Sequence, residues 1–192
     1  KERELMFEIS REDEEILKAA SRMNDFIGLN YYHPNAVRKT LPTDVVSVDY
    51  SREGSAGKKA QYYYDGFYEI VKPEGKRYTK WGWEMSPEWL IWGIEMLNER
   101  YKKPLAFYIT ENGLGDQDPI IEGEVMDVAR IKFMAEHLRA VGRGNETGCN
   151  IKGYFAWSFI DLLSWLNGYE KQYGFVYVDH ENHMERKKKL SF

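Results

Sequence analysis

One carboxylate stands out as able to do chemistry. The apolar run Pro104 to Ile109 is followed at once by Thr110-Glu111-Asn112-Gly113-Leu114-Gly115. A run of this length, broken abruptly by an acid, an amide and two glycines, is how a buried strand delivers one acid to a pocket at its C-terminal end. A glutamate held there can act as a nucleophile. Two other strand-like runs also end in polar or aromatic groups, Asn30 and Tyr32 in one and Trp157 and Ser158 in the other. A further polar cluster, from Asp161 to Gly174, bears on what such a nucleophile would attack.

Ser10 is a suitable N-cap with Asp13 three residues on, a variant of the capping box, and predicts a helix through about Met23. Ile16, Leu17, Ala20 and Met23 fall on one face of it. Phe26 to Tyr32 then reads as a buried strand, ended by His33-Pro34-Asn35. A long polar excursion from Val37 to Tyr78 carries Gly54, Gly57 and the aromatic knot Tyr62-Tyr63-Tyr64; loops of such length in compact domains are usually functional or disordered. Ser86-Pro87-Glu88 is a helix start, with Ser as cap and Pro at the first helical position, and that helix runs to about Tyr101. After the loop Asp116 to Met126, a helix over about 127–141 shows an apolar stripe of Val128, Ile131, Met134, Leu138 and Val141. Ile151 to Ser158 is a third strand, and a final hairpin is expected around Gly174 to Asp179. Apolar strands alternating with helices indicate a parallel α/β sheet, and polar residues just after each strand are the hallmark of an α/β barrel.

Composition sets outer limits. The 192 residues suffice for one sizeable core. Six Trp, fourteen Tyr and nine Phe are an aromatic excess that fits a site for stacked ligands such as sugars, or a large core. A net charge of -4 argues against general nucleic-acid binding. The single cysteine, Cys149, excludes an internal disulfide framework and fits a reducing cytoplasm. No signal-peptide pattern and no long apolar run suggests a membrane. The chain begins without Met and stops just after Arg186 to Lys189, which reads as a fragment.

Four strings in order, Gly28-Leu29-Asn30-Tyr31-Tyr32, Trp81-Gly82-Trp83, Tyr108 to Gly115 and Gly153-Tyr154-Phe155-Ala156-Trp157-Ser158-Phe159, resemble the second half of a glycoside hydrolase family 1 enzyme. The resemblance runs from about Asp25 to the C-terminus. It implies a retaining β-glycosidase on a (β/α)8 TIM barrel, of which the chain would hold the C-terminal portion, about strands six to eight, as one part of a single domain. It also assigns roles. Glu111 matches the nucleophile, Tyr32 the tyrosine that holds it oriented and ionised, and Asn30 a substrate-binding neighbour. Trp157 matches the tryptophan beneath the sugar, and Trp83 one near the aglycone. The segment from Asp161 to Gly174 resembles the 6-phospho-β-glycosidase branch, in which Ser164, Lys171 and Tyr173 bind the 6-phosphate. Where ordinary β-glucosidases carry a glutamate, a hydroxyl, an ammonium and a phenol all donate to a dianion. Trp165 favours galactoside, or acceptance of both sugars.

The same resemblance defines what this sequence lacks. The acid/base of the family lies in an Asn-Glu-Pro string, and none occurs here; Asn98-Glu99 is followed by Arg100 within a predicted helix. Three strands do not close a barrel of eight, so the chain alone is expected to be inactive and to need the missing N-terminal half as a partner. Its substrate would be a phosphorylated disaccharide or aryl glycoside, with no cofactor and no metal. An ordinary β-glucosidase and a non-catalytic half-barrel binding sugar phosphates are the alternatives. Glu170 and Asp161 are not expected to carry chemistry. His180 and His183 read as a solvent-facing turn, and Lys187-Lys188-Lys189 as a solvated end.

Overall fold

The computed structural model describes residues 9–39, 63–64, 68–102, 105–165 and 167–192. Its centre is a parallel sheet of three strands, β1 (Phe26–Asn30), β5 (Ala106–Asn112) and β8 (Ile151–Ala156), in the order β1-β5-β8. Two helices make the crossovers: α2 (Glu88–Tyr101) precedes β5 and α3 (Val128–Glu146) precedes β8. Between β1 and α2 lie the short strands β2 (Ala36–Arg38), β3 (Tyr63–Tyr64) and β4 (Tyr68–Val71), an antiparallel sheet in the order β2-β4-β3. The excursion expected from Val37 to Tyr78 is therefore partly ordered sheet; Gly54, Gly57 and Tyr62 fall outside the described residues, as does Pro104. The expected loop from Asp116 to Met126 likewise contains a small hairpin, β6 (Ile120–Ile121) with β7 (Glu124–Val125).

Period-two alternation places the core. Phe107 and Ile109 of β5 are wholly buried with Leu90 and Ile94 of α2 and with Cys149 and Ile151. Tyr108 and Thr110 point to the opposite, more open face. There the Tyr108 ring covers Gly153, where a Cβ would come within 2.6 Å of Tyr108 Cδ1, and it meets Phe26 edge-on at 5.0 Å.

The first helix, α1 (Arg11–Ser21), forms with the expected capping box, Ser10 and Asp13 exchanging hydrogen bonds. Among the described residues its apolar face covers nothing, and Ile16 and Leu17 are both 59% exposed. At α2 the capping differs from expectation. Pro87 occupies the cap position with helical φ and ψ and no side-chain cap bond, because Ser86 Oγ turns away to donate to buried Glu84.

The stripe expected on α3 is not the buried one. Arg130, Phe133, His137, Ala140 and Gly144 face inward; of the expected stripe, Val128, Ile131 and Leu138 are exposed, while Met134 and Val141 are half-buried at its edge. The buried face carries two polar residues, Arg130 and His137, so hydropathy alone points to the neighbouring stripe. Arg130 is held by carboxylates and carbonyls, and His137 Nδ1 lies 2.9 Å from the carbonyl of Phe133.

Burial pushes the His137 imidazolium pKa down. The unfolded chain therefore binds the proton first as pH falls, so the stability conferred by neutral His137 is present above about pH 6.5 and is lost below it. Urea midpoints at pH 7.5 and 5.5 should differ more for the wild-type chain than for His137→Phe, which removes this titration; equal differences would contradict it.

The chain closes with the hairpin β9 (Val176–Asp179) and β10 (Glu185–Lys188). His180 to Met184 form its turn, with His180 stacked on Tyr169 at 3.6 Å. The basic run Lys187 to Lys189 is not uniformly solvated: Lys189 is 3% exposed and its ammonium is ion-paired to Asp118 and Asp161. Two carboxylates that are distant in sequence turn its side chain inward. No described helix is long and apolar enough to cross a membrane.

Candidate active site

The ends of the three parallel strands meet at Glu111 and Asn112. Tyr31 N donates to the Glu111 carbonyl at 2.9 Å, and Trp157 N donates to the Asn112 carbonyl at 2.9 Å. Strict alternation would send Thr110 and Glu111 to opposite faces. A slip in register, with Leu29 opposite Ile109 but Asn30 opposite Glu111, inserts one extra residue into β5. Bulges of this kind re-aim side chains at strand ends. Thr110 Oγ1 accordingly donates to Asn30 Oδ1 at 2.6 Å, while the Glu111 carboxylate accepts from Tyr32 on the same side, at 2.7 Å.

The Tyr32 pKa is raised well above the usual phenol range, by burial first and then by the Glu111 carboxylate. The phenol thus keeps its proton at neutral pH and remains a donor to Glu111. Behind the carboxylate, Asn112 is fully buried and acts as a clamp. Its Nδ2 donates to the Tyr31 carbonyl at 2.6 Å, and its Oδ1 accepts from the Tyr154 hydroxyl. Hydropathy gave Asn112 no role beyond ending the run; only its long-range partners define it.

Trp83 joins this centre to the downstream cluster. Its ring lies 5.6 Å from that of Tyr32 and stacks on His33 at 4.8 Å. The Lys171 ammonium sits 3.1 Å from the Trp83 ring centroid, 5.2 Å from that of Trp81 and 5.6 Å from that of Tyr173. Desolvated cation–π contacts of this kind are worth about 2 kcal/mol. Lys171 and Tyr173 are both buried, and burial raises the Tyr173 pKa while a hydrogen bond with Ser164 opposes the rise. Ser164 is held in a tight turn by paired backbone hydrogen bonds with Gly168, at 2.8 and 2.9 Å. The structure therefore brings together Asn30, Tyr32, Trp83, Glu111, Lys171, Tyr173 and Ser164. Trp157, 37% exposed, borders them through its backbone bond to Asn112, whereas Trp165 is fully exposed.

Two glycines make this assembly possible. A Cβ at Gly115 would come within 2.5 Å of Lys171 Cε and 2.6 Å of Tyr173 Cε1. One at Gly113 would overlap the Trp157 carbonyl oxygen. That carbonyl belongs to a backbone already tied to Asn112, so it has little room to retreat. Gly113→Ala should cost more than about 3 kcal/mol of stability, the range of severe steric substitutions. Urea unfolding reads this, and a loss under about 1 kcal/mol would show that the strand ends can separate.

Among the described residues no three His, Cys, Asp or Glu side chains gather where they could hold a metal ion. Asp161 is a structural acid, its Oδ1 accepting from Tyr173 N at 3.1 Å, Gly174 N at 2.8 Å and Lys189 Nζ at 2.7 Å. Glu170 is exposed.

A parallel strand that ends in a hydrogen-bonded glutamate, with tryptophans nearby, belongs to an α/β protein with a polar site at its strand ends, and the match to known families makes this specific. The chain belongs to glycosyl hydrolase family 1, whose family model matches residues 1–192. It is 36% identical to a 6-phospho-beta-galactosidase of Streptococcus equi subsp. zooepidemicus over 94% of this chain and 38% of that protein. A 6-phospho-beta-galactosidase of Leptotrichia buccalis is also 36% identical, over 96% of this chain and 39% of that protein. Among solved structures, the family 1 β-glucosidase of Thermotoga maritima superposes with a TM-score of 0.74 at 29% identity, covering 95% of this chain and 36% of that one. A β-glucosidase from Exiguobacterium marinum gives 0.73 at 31% identity, with the same coverage. The likeness is that of a partial TIM barrel, and the chain spans about two fifths of the length of the curated relatives it matches.

Proposed function

We propose that this chain supplies the nucleophile and the phosphate-binding wall of a retaining 6-phospho-β-glycosidase. In this reading β1, β5 and β8 are strands six, seven and eight of one (β/α)8 barrel domain. The remaining strands and the acid/base come from polypeptide outside these 192 residues. Glu111 attacks the anomeric carbon as the glycosidic C–O bond breaks, and the departing oxygen takes a proton from that external acid. Water then gives a proton to that same external group, now a base, as it attacks the glycosyl-enzyme and releases Glu111 as a carboxylate. Tyr32 holds the attacking carboxylate in place, and Ser164, Lys171 and Tyr173 anchor the 6-phosphate. The reaction needs no cofactor and fits a cytoplasmic catabolic role.

One observation carries the reading: a continuous set of contacts from Glu111 through Tyr32 and Trp83 to Lys171. A buried ammonium joined to the nucleophile's partner through one indole ring suits a substrate that carries an anion on the same sugar as its reacting carbon. The names of the curated relatives favour galactosides. The test pairs this chain with the separately produced N-terminal portion of the Streptococcus equi relative and compares chromogenic β-galactosides with and without a 6-phosphate. Selective cleavage of the phosphorylated substrate by the pair, and none by this chain alone, is expected. Equal cleavage of both substrates would support an ordinary β-glycosidase instead, and turnover by the chain alone would remove the need for an external acid.

A further inference from the structure

Five charged side chains are buried together beneath the backbone of the segment that carries Lys171 and Tyr173, and their hydrogen bonds converge on Tyr173. Arg130, Asp118, Asp127, Lys189 and Asp161 have side chains only 0–3% exposed. Asp118 Oδ2 accepts from Arg130 Nη2 at 2.6 Å and from Lys189 Nζ at 2.7 Å, and the same ammonium donates to Asp161 Oδ1 at 2.7 Å. Arg130 Nε donates to Asp127 at 3.0 Å, and Ser191 N ties the C-terminal residues to that acid at 2.9 Å.

Asp161 takes the backbone N–H of Tyr173, and Arg130 Nη1 donates to the carbonyl of the same residue at 3.0 Å. Arg130 Nη1 also donates to the Leu114 carbonyl, and Nη2 to that of Gln172 at 3.3 Å. Leu114 leads directly into Gly115, whose backbone Lys171 and Tyr173 pack against. One network thus holds both the segment that carries Lys171 and Tyr173 and the surface behind it. Burying this many charges is expensive and adds little net stability over apolar packing, so its value lies in the geometry it fixes.

We infer that Lys189 and Arg130 are positioning residues for phosphate recognition, acting through the backbone of Tyr173; this rests on the reading of Ser164, Lys171 and Tyr173 as the phosphate site. Charge adds to geometry. The network holds three carboxylates against two cations, an imbalance of one negative charge. Without Lys189 that imbalance becomes two, beside a site for a dianion, and it opposes phosphorylated ligands alone.

The test titrates the 192-residue chain with galactose 6-phosphate and with galactose, followed by the fluorescence of the tryptophans flanking Lys171. The wild-type chain should prefer the phosphorylated sugar, Lys189→Met should lose at least tenfold of that preference with galactose affinity unchanged, and Lys189→Arg should restore most of it. Equal affinities in the wild-type chain would overturn the phosphate site and this inference together. An intact preference in folded Lys189→Met would overturn the inference alone. If circular dichroism shows that Lys189→Met does not fold, Arg130→Lys decides in its place. It keeps the charge of the network but gives up the guanidinium fork that reaches the Tyr173 carbonyl, and it must show the same selective loss through geometry alone; an unchanged preference there overturns the inference equally.

Discussion

Glu111→Gln, in the barrel completed with the N-terminal portion of a family relative, is expected to lower turnover of a 6-phospho-β-galactoside by about 10⁴-fold or more. Losing a nucleophile removes the covalent route itself, and such losses are among the largest seen for single residues. The substitution is nearly isosteric and keeps a group for Tyr32 to donate to, so folding should be preserved. The structural reason for so large an effect is the convergence at this position: a bulge in β5, the Tyr32 hydroxyl and the Asn112 clamp all serve one carboxylate. A drop of less than tenfold would mean that another group attacks the anomeric carbon.

Lys171→Met should produce the second largest effect, and a selective one. A hydrogen bond from a charged donor contributes about 1.5–3 kcal/mol, so kcat/KM for the phosphorylated substrate should fall on the order of 10- to 100-fold. Cleavage of the unphosphorylated analogue should change little, because no phosphate meets the lysine there. The methionine retains the apolar stem that packs beside Gly115, which separates loss of charge from loss of packing. An equal fall for both substrates would show that Lys171 supports the site's shape and does not read the phosphate.

Much of this site was legible in sequence because its signals are local. The abrupt end of an apolar run marked Glu111, period two placed Asn30 and Tyr32 on one side of β1, and Ser10 with Asp13 marked the start of α1. What stayed hidden depends on partners far along the chain. Lys189 looked like part of a solvated basic end, yet its ammonium is fixed by Asp118, 71 residues away. Arg130 and His137 occupy the buried face of α3, and polar residues there shift the apparent apolar stripe one step around the helix. The register slip that turns Glu111 toward Tyr32 leaves no mark in composition, because it arises from pairing between strands.

The apolar face of α1 shows the opposite situation. Its periodicity was readable, but among the described residues Ile16 and Leu17 cover nothing. A helix of that pattern is built to pack against something, which agrees with a chain that spans about two fifths of its relatives.

Covalent trapping of the glycosyl-enzyme would identify the attacking residue outright. The completed barrel would be incubated with a 2-deoxy-2-fluoro 6-phospho-β-galactoside carrying a good leaving group, then digested and mapped by mass spectrometry. A fluorosugar phosphate attached to Glu111, and no label in Glu111→Gln, is the expected result. A label on any other residue, or rapid turnover with no label at all, would contradict the assignment of Glu111 as the nucleophile of a retaining glycosidase.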